Sequence, residues 1–267
     1  SLHDALPIFI SRNNRGGGNR YRRGSSWYPY TTITSWGSSS GSGWGSGGGG
    51  GFGGFGGGGQ DGVILKFNAN LSATIFASYF GGNGQDACFV TSIDPVSKDI
   101  FVAGGTGSNN LKGDTSGVIY PRFQGDLADG FITRIKPDGS AIVKTTYLGT
   151  SRIDIVYGLK FDKLGFPYVV GTSLGSWPVL NAAYVNAGSK QFISKLRPDL
   201  SRFVYSTVFG NGEAATSISP IAFLVDRCEN VYVSGWGGGI NVQQGYTTGN
   251  TVGLPEVGSL TGIPVPN

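Results

Sequence analysis

The chain has 267 residues, is poor in charge (13% Asp, Glu, Lys and Arg) and contains 48 glycines. Its net charge of +4 belongs to residues 1–60, which hold five arginines and one aspartate, while the remainder is balanced. The repeats therefore carry no basic face for nucleic acid, and no apolar run reaches the roughly 18 residues a membrane-spanning helix needs. The opening apolar core, Leu6 to Ile10, is too short for a signal peptide. The absence of methionine and the N-terminal serine predict a fragment of a longer reading frame. Residues 11–59 alternate glycine with serine, arginine and aromatics, as in Arg15-Gly16-Gly17-Gly18 and Phe52-Gly53-Gly54-Phe55. Such a segment buries too little apolar surface to offset chain entropy, so residues 1–60 are expected to be a disordered tail. Its Arg-Gly pattern could bind single strands by charge and stacking, but a flexible tail is the simpler expectation.

After residue 60 a cassette recurs three times. Its first part reads Lys66-Phe67-Asn68-Ala69-Asn70-Leu71-Ser72, Arg134-Ile135-Lys136-Pro137-Asp138-Gly139-Ser140 and Lys195-Leu196-Arg197-Pro198-Asp199-Leu200-Ser201. In register follow Tyr79-Phe80-Gly81, Tyr147-Leu148-Gly149 and Val208-Phe209-Gly210, then Val102-Ala103-Gly104, Val169-Val170-Gly171 and Val233-Ser234-Gly235. A period this long copies a supersecondary unit that needs neighbours to bury its faces. The second copy predicts strands at 131–136, 142–148, 155–161 and 167–171, rich in Val, Ile, Phe, Tyr and Thr and alternating with a period of two. Pro137-Asp138-Gly139 and Asp162-Lys163-Leu164-Gly165 supply the turns. Four antiparallel strands per copy is the arithmetic of a β-propeller blade. The expected fold is all-β: a partial propeller of about three four-stranded blades at 61–104, 129–171 and 190–235. Residues 241–267 read as an irregular C-terminal extension.

The elements Asp129-Gly130-Phe131-Ile132-Thr133-Arg134-Ile135, Pro137-Asp138-Gly139-Ser140, Thr146-Tyr147-Leu148-Gly149 and Tyr168-Val169-Val170-Gly171-Thr172 resemble the seven-bladed β-propeller (SBBP) repeat, over roughly residues 60–239. The run from Asp226 to Gly238 is similar to large cell-surface, gliding-motility-associated proteins of Bacteroidetes. The resemblance implies a secreted or surface protein with adhesion-type partners. The stretch from Ser35 to Gly59 resembles the glycine-rich C-terminal tails of TPM-domain membrane proteins, and Ser1 to Ile8 resembles a translated sequencing-adapter remnant. These likenesses imply that residues 1–60 are a chimeric addition, so the tail does not steer the functional reading.

Candidate chemistry is sparse. His3 is the one histidine and lies in the tail, so the repeats offer no histidine for a triad or metal site. The glycine runs lack the Gly-Lys-Ser/Thr of a phosphate loop. Cys88 and Cys228 fall at different places in separate copies and are not expected to pair. Asp94, Asp162 and Asp226 recur at the end of the third strand, and Asp86 and Asp154 recur seven residues after Tyr79 and Tyr147, where the third copy has Ala215. One carboxylate per copy is expected to accept backbone hydrogen bonds in its own turn rather than gather calcium ligands or form a glycosidase pair.

The copies differ most at 105–128, 172–189 and 236–250, expected on one rim. Their aromatics Tyr120, Phe123, Trp177, Tyr184, Trp236 and Tyr246 form the candidate binding rim, although a tryptophan there more commonly closes a seam between blades. The function expected is a non-catalytic, secreted or cell-surface scaffold for adhesion or recognition of a protein or glycan, with no cofactor, no metal, no nucleic acid and no membrane insertion. The alternatives are an enzyme whose site lies in missing blades and an intracellular interaction propeller.

Overall fold

The computed structural model describes residues 59–125, 127–237, 251, 253–255 and 257. The expected tail up to residue 58, Tyr246, the Trp236 side chain and most of the C-terminal extension lie outside the described residues. The described chain is all-β and propeller-like, with twelve strands: β1 (Gly62–Phe67), β2 (Thr74–Phe80), β3 (Asp86–Ile93), β4 (Ile100–Thr106), β5 (Asp129–Ile135), β6 (Ile142–Leu148), β7 (Asp154–Phe161), β8 (Pro167–Ser173), β9 (Gln191–Leu196), β10 (Phe203–Phe209), β11 (Ser219–Val225) and β12 (Val231–Trp236).

Hairpin turns form where the sequence predicts them. In the turn between β5 and β6, Gly139 takes φ 74°, and its N–H donates to the Lys136 carbonyl at 2.9 Å. The other copies force leucine into that left-handed conformation: Leu71 at φ 57° and Leu200 at φ 60°. Left-handed backbone costs a non-glycine residue about 1 kcal/mol. Leu200 offsets this by burying its side chain completely, whereas Leu71 stays exposed. The turns after β3, β7 and β11 are closed by aspartate as expected. Asp94 accepts from Val96 N–H at 2.8 Å, Asp162 from Leu164 N–H at 2.9 Å and Asp226 from Cys228 N–H at 2.8 Å. Both cysteines are free thiols.

The sheets do not coincide with the sequence copies. The two complete sheets run β3-β4-β5-β6 and β7-β8-β9-β10, all antiparallel, and the two-stranded pieces β1-β2 and β11-β12 stand at the ends. The four-stranded units at 61–104, 129–171 and 190–235 are therefore split: each complete sheet takes two strands from one copy and two from the next. The short connections 81–85, 149–153 and 210–218 cross from one sheet to another, while the long ones, 107–128 and 174–190, join neighbours within a sheet. β4 pairs with β5 through Ala103↔Ile132, and β8 with β9 through Val170↔Ile193.

Three apolar seams hold the sheets face to face. Ile64 and Phe80 of β1-β2 pack on Phe131, Ile135 and Tyr147, with the Phe80 and Phe131 rings stacked at 5.1 Å. Between the complete sheets lie Phe101, Ile132, Val156, Leu159, Phe192 and Leu196. Tyr168 and Val170 meet Phe223 of β11 in the third seam. Each fully buried side chain contributes about 1.5–3 kcal/mol. The first strands β3, β7 and β11 carry bulges at corresponding places, between Cys88 and Val90, Val156 and Gly158, and Pro220 and Ala222. The bulged Phe89 and Tyr157 stack across adjacent sheets at 5.7 Å.

Candidate functional site

The long connections do not form a shared rim. Each follows the outer strand of its own sheet. In the first, Asp114 and Tyr120 carbonyls accept from Thr145 and Tyr147 N–H, both at 3.0 Å. In the second, Leu180 and Ser206 exchange backbone bonds at 2.9 and 2.8 Å, and Asn186 N–H donates to the Val208 carbonyl at 3.1 Å. These segments cover the outer edges of β6 and β10, which would otherwise offer unpaired backbone to other chains.

That placement decides what the expected rim aromatics do. Trp177 is buried, not exposed: its ring stacks on Phe192 at 3.5 Å and 7°, and its indole N–H donates to Ser194 Oγ at 3.1 Å and Ser206 Oγ at 3.0 Å. It closes the seam. Tyr120 and Phe123 are half-buried, edge-on to Phe203 at 6.4 Å and to Tyr147 at 6.2 Å. Trp236 ends β12, paired with Ser219. Tyr184 is exposed, as are Leu174, Val179, Leu180 and Val185 of the same 174–190 segment. This strip is the candidate contact surface.

Asp86 and Asp154 are committed to the fold. Asp86 accepts from Thr106 Oγ1 at 2.5 Å, Ser108 Oγ at 2.7 Å and Gly82 N–H at 2.8 Å. Asp154 accepts from Thr150 N–H at 2.5 Å and Thr150 Oγ1 at 2.8 Å. Each thereby closes the crossing between sheets, as a turn-closing residue should.

A second carboxyl accompanies each of these aspartates. Asp61 and Asp129 sit one residue before the Gly-initiated register of β1 and β5, and they border the crossing glycines. A Cβ on Gly81 would lie 2.3 Å from Asp61 Oδ1 and 2.6 Å from Asp86 Oδ2, and one on Gly149 would lie 2.2 Å from Asp129 Oδ1. Burial, with the neighbouring Asp86, pushes the Asp61 carboxyl up to about 6. Burial pushes Asp129 up to about 7 against the Gln124 N–H bond, and Asp154 adds to the rise. Burial also raises Asp154, opposed by Ser173 and Thr150. In the third copy the longer crossing 210–218 places Ser217, not Ala215, in the aspartate's role: Asn211 N–H donates to Ser217 Oγ at 3.0 Å. Gln191 replaces the second carboxyl, its Nε2 donating to the Ile218 carbonyl at 3.2 Å. The pattern therefore survives without charge, as an architectural feature does.

A third cluster was not anticipated. Lys195 Nζ lies 2.9 Å from Asp162 and 2.8 Å from Glu229, and over the Phe166 and Tyr168 rings at 4.9 and 4.8 Å. Burial opposes its charge, but hydrogen bonds to Glu229, Tyr168 and Asp162 prevail and hold it above the ordinary lysine range. Arg134, its counterpart one copy earlier, meets Asp99 at 2.5 Å. The signal was present in the sequence: Lys66, Arg134 and Lys195 share one repeat position. Finally, a cavity of about 210 Å³ lies between β1-β2 and β5-β6, lined by Ile64, Phe76, Phe80, Ile135, Ile142 and Lys112. Its walls suit an apolar group.

No protein-family model matches the chain, and no curated protein matches it by sequence. Among the described residues no helix is long and apolar enough to cross a membrane.

Proposed function

We propose that this chain is a non-catalytic recognition scaffold from a secreted or bacterial cell-surface protein, built on SBBP-type repeats like those of Bacteroidetes gliding-motility-associated proteins. In this reading the sheets are a frame, and the variable edge segments meet a protein or glycan partner. The observation that carries it is the 174–190 segment. Leu174, Val179, Leu180, Tyr184 and Val185 are each 41–52% exposed, on backbone tied to β10 by reciprocal hydrogen bonds. A rigid frame presenting several apolar side chains and an aromatic offers contact area at low entropic cost. The use of Asp86, Asp154 and Lys195 for internal bonds supports the same reading, because these three side chains hold the frame together.

The test is binding of the full chain to glycan arrays and to intact bacterial surfaces. Val179→Ser with Tyr184→Ser should weaken binding tenfold or more while leaving the thermal transition in place. Undiminished binding, or a hydrolytic activity lost in Asp129→Asn, would replace this reading with a different surface or with an enzyme.

A further inference from the structure

We propose that the cavity between β1-β2 and β5-β6 is a binding site for a small aromatic carboxylate, a single ring that carries its acid on a short chain. The site shares no residue with the 174–190 strip and does not rest on the recognition of a surface partner. The cavity holds about 210 Å³. An apolar cavity of about 150 Å³ takes up benzene, and pockets for larger ligands run from about 300 Å³ upward. Its size therefore matches one ring with a short substituent.

The walls name the chemistry. Ile64, Phe80 and Ile135 are buried and form the floor, with Phe76 and Ile142 half-buried beside them. Phe76 and Phe80 offer ring faces and edges to an aromatic guest. The Ser78 hydroxyl on the lining donates to the Tyr79 carbonyl at 2.9 Å. Lys112 is exposed and so stands at the mouth. It is the one charged residue of the lining, and among the described residues no acid lines the cavity. A positive mouth over an apolar floor selects an apolar body with an anionic head.

The opening is particular to this seam. Gly139 and Ile142 hold the repeat positions of Leu200 and Phe203. In the seam between the two complete sheets, Leu200 and Phe203 are core side chains, 0% and 6% exposed. Here the first is missing and the second is smaller, and the space they would take is the cavity. The bare Gly139 also lets Phe76 lie against the turn, since a Cβ there would stand 2.7 Å from the Phe76 Cδ1. The backbone does not demand this glycine. Leu71 and Leu200 adopt the same left-handed turn at φ 57° and 60°, against 74° for Gly139. A leucine at 139 is thus acceptable to the turn, and it would fill the cavity or drive Phe76 into it.

The experiment titrates the full chain with 3-phenylpropionate, 3-phenylpropanamide and 3-phenylpropylamine, read by calorimetry and by the methyl resonances of Ile64, Ile135 and Ile142. The acid should bind with a dissociation constant below about 1 mM and shift all three isoleucines. The amine should bind at least about tenfold more weakly. Gly139→Leu should weaken the acid about tenfold or more with an unchanged far-ultraviolet spectrum. Ile142→Phe, which copies Phe203, carries the same expectation and decides the matter if the leucine variant does not fold. Lys112→Gln should bring the acid down to the affinity of the amide and leave the amide unchanged. Unmoved isoleucine resonances at about 10 mM acid would overturn the inference. Undiminished binding in folded Ile142→Phe would place the ligand elsewhere and overturn it as well. An amine that binds as tightly as the acid, or an acid preference that survives Lys112→Gln, would overturn the anionic class.

Discussion

Replacing Trp177 by alanine separates a seam residue from a rim residue. Three contributions are lost at once. The indole is nearly fully buried, and burial of a large apolar side chain stabilises by about 1.5–3 kcal/mol. Its stack on Phe192 at 3.5 Å adds about 0.5–1.5 kcal/mol. Its N–H bonds to Ser194 and Ser206 add about 1 kcal/mol. The serine hydroxyls bond each other at 2.8 Å, so they are not stranded when the indole leaves. Together these give a loss of about 3–5 kcal/mol, the usual range for a core tryptophan. Trp177→Phe keeps most of the stack and loses the N–H, so it should cost about 1–2 kcal/mol. Urea unfolding followed by far-ultraviolet circular dichroism reads both changes without relying on tryptophan emission. A loss below 1 kcal/mol for Trp177→Ala, accompanied by lost partner binding, would refute the seam assignment and restore the exposed rim.

Three further outcomes follow from the same geometry. Asp129 binds its proton more tightly folded than unfolded, so its contribution favours the native state at low pH and is lost as pH rises from about 4 through about 7. Stability should therefore fall between pH 5 and 7.5, and Asp129→Asn should flatten that slope in pH-dependent melts; an unchanged slope would contradict it. Leu71→Gly should stabilise by about 0.5–1 kcal/mol by relieving left-handed strain at an exposed site, while Leu200→Gly should destabilise by about 1–2 kcal/mol because it empties a buried position. Equal signs in denaturant titrations would show that the turn strain is misjudged. Lys195→Met leaves Asp162 buried without its cation and should cost about 3–5 kcal/mol, measured in the same titrations; a neutral result would mean the pair is solvated.

What the sequence revealed, and what it hid, has a physical pattern. Local signals were reliable because they are made by neighbours. The alternation in Phe131, Thr133 and Ile135 placed β5, and Asp162 with Gly165 placed a turn, because pleat and turn geometry act within a few residues. Sheet membership was not local. Connection length misled, since 149–153 leaves its sheet while the much longer 107–128 stays within one. Trp177 looked like a loop residue because its partners, Phe192, Ser194 and Ser206, lie well downstream on strands it was not expected to meet. The paired carboxyls had a visible half-signal in Asp61-Gly62 and Asp129-Gly130, but their partners Asp86 and Asp154 stand roughly a strand pair away. Of the four rim aromatics whose side chains are described, Tyr120, Phe123, Trp177 and Tyr184, Tyr184 alone keeps both the segment and the exposure expected of it.

The central structural claim is that sheets straddle the repeats. It is tested most directly by cross-strand nuclear Overhauser effects between backbone protons. The account predicts contacts joining Ala103 to Ile132 and Val170 to Ile193, across β4–β5 and β8–β9. Ladders of contacts joining β2 to β3 and β6 to β7 instead, with none between β4 and β5, would mean that each sequence copy closes its own sheet, and would contradict the account.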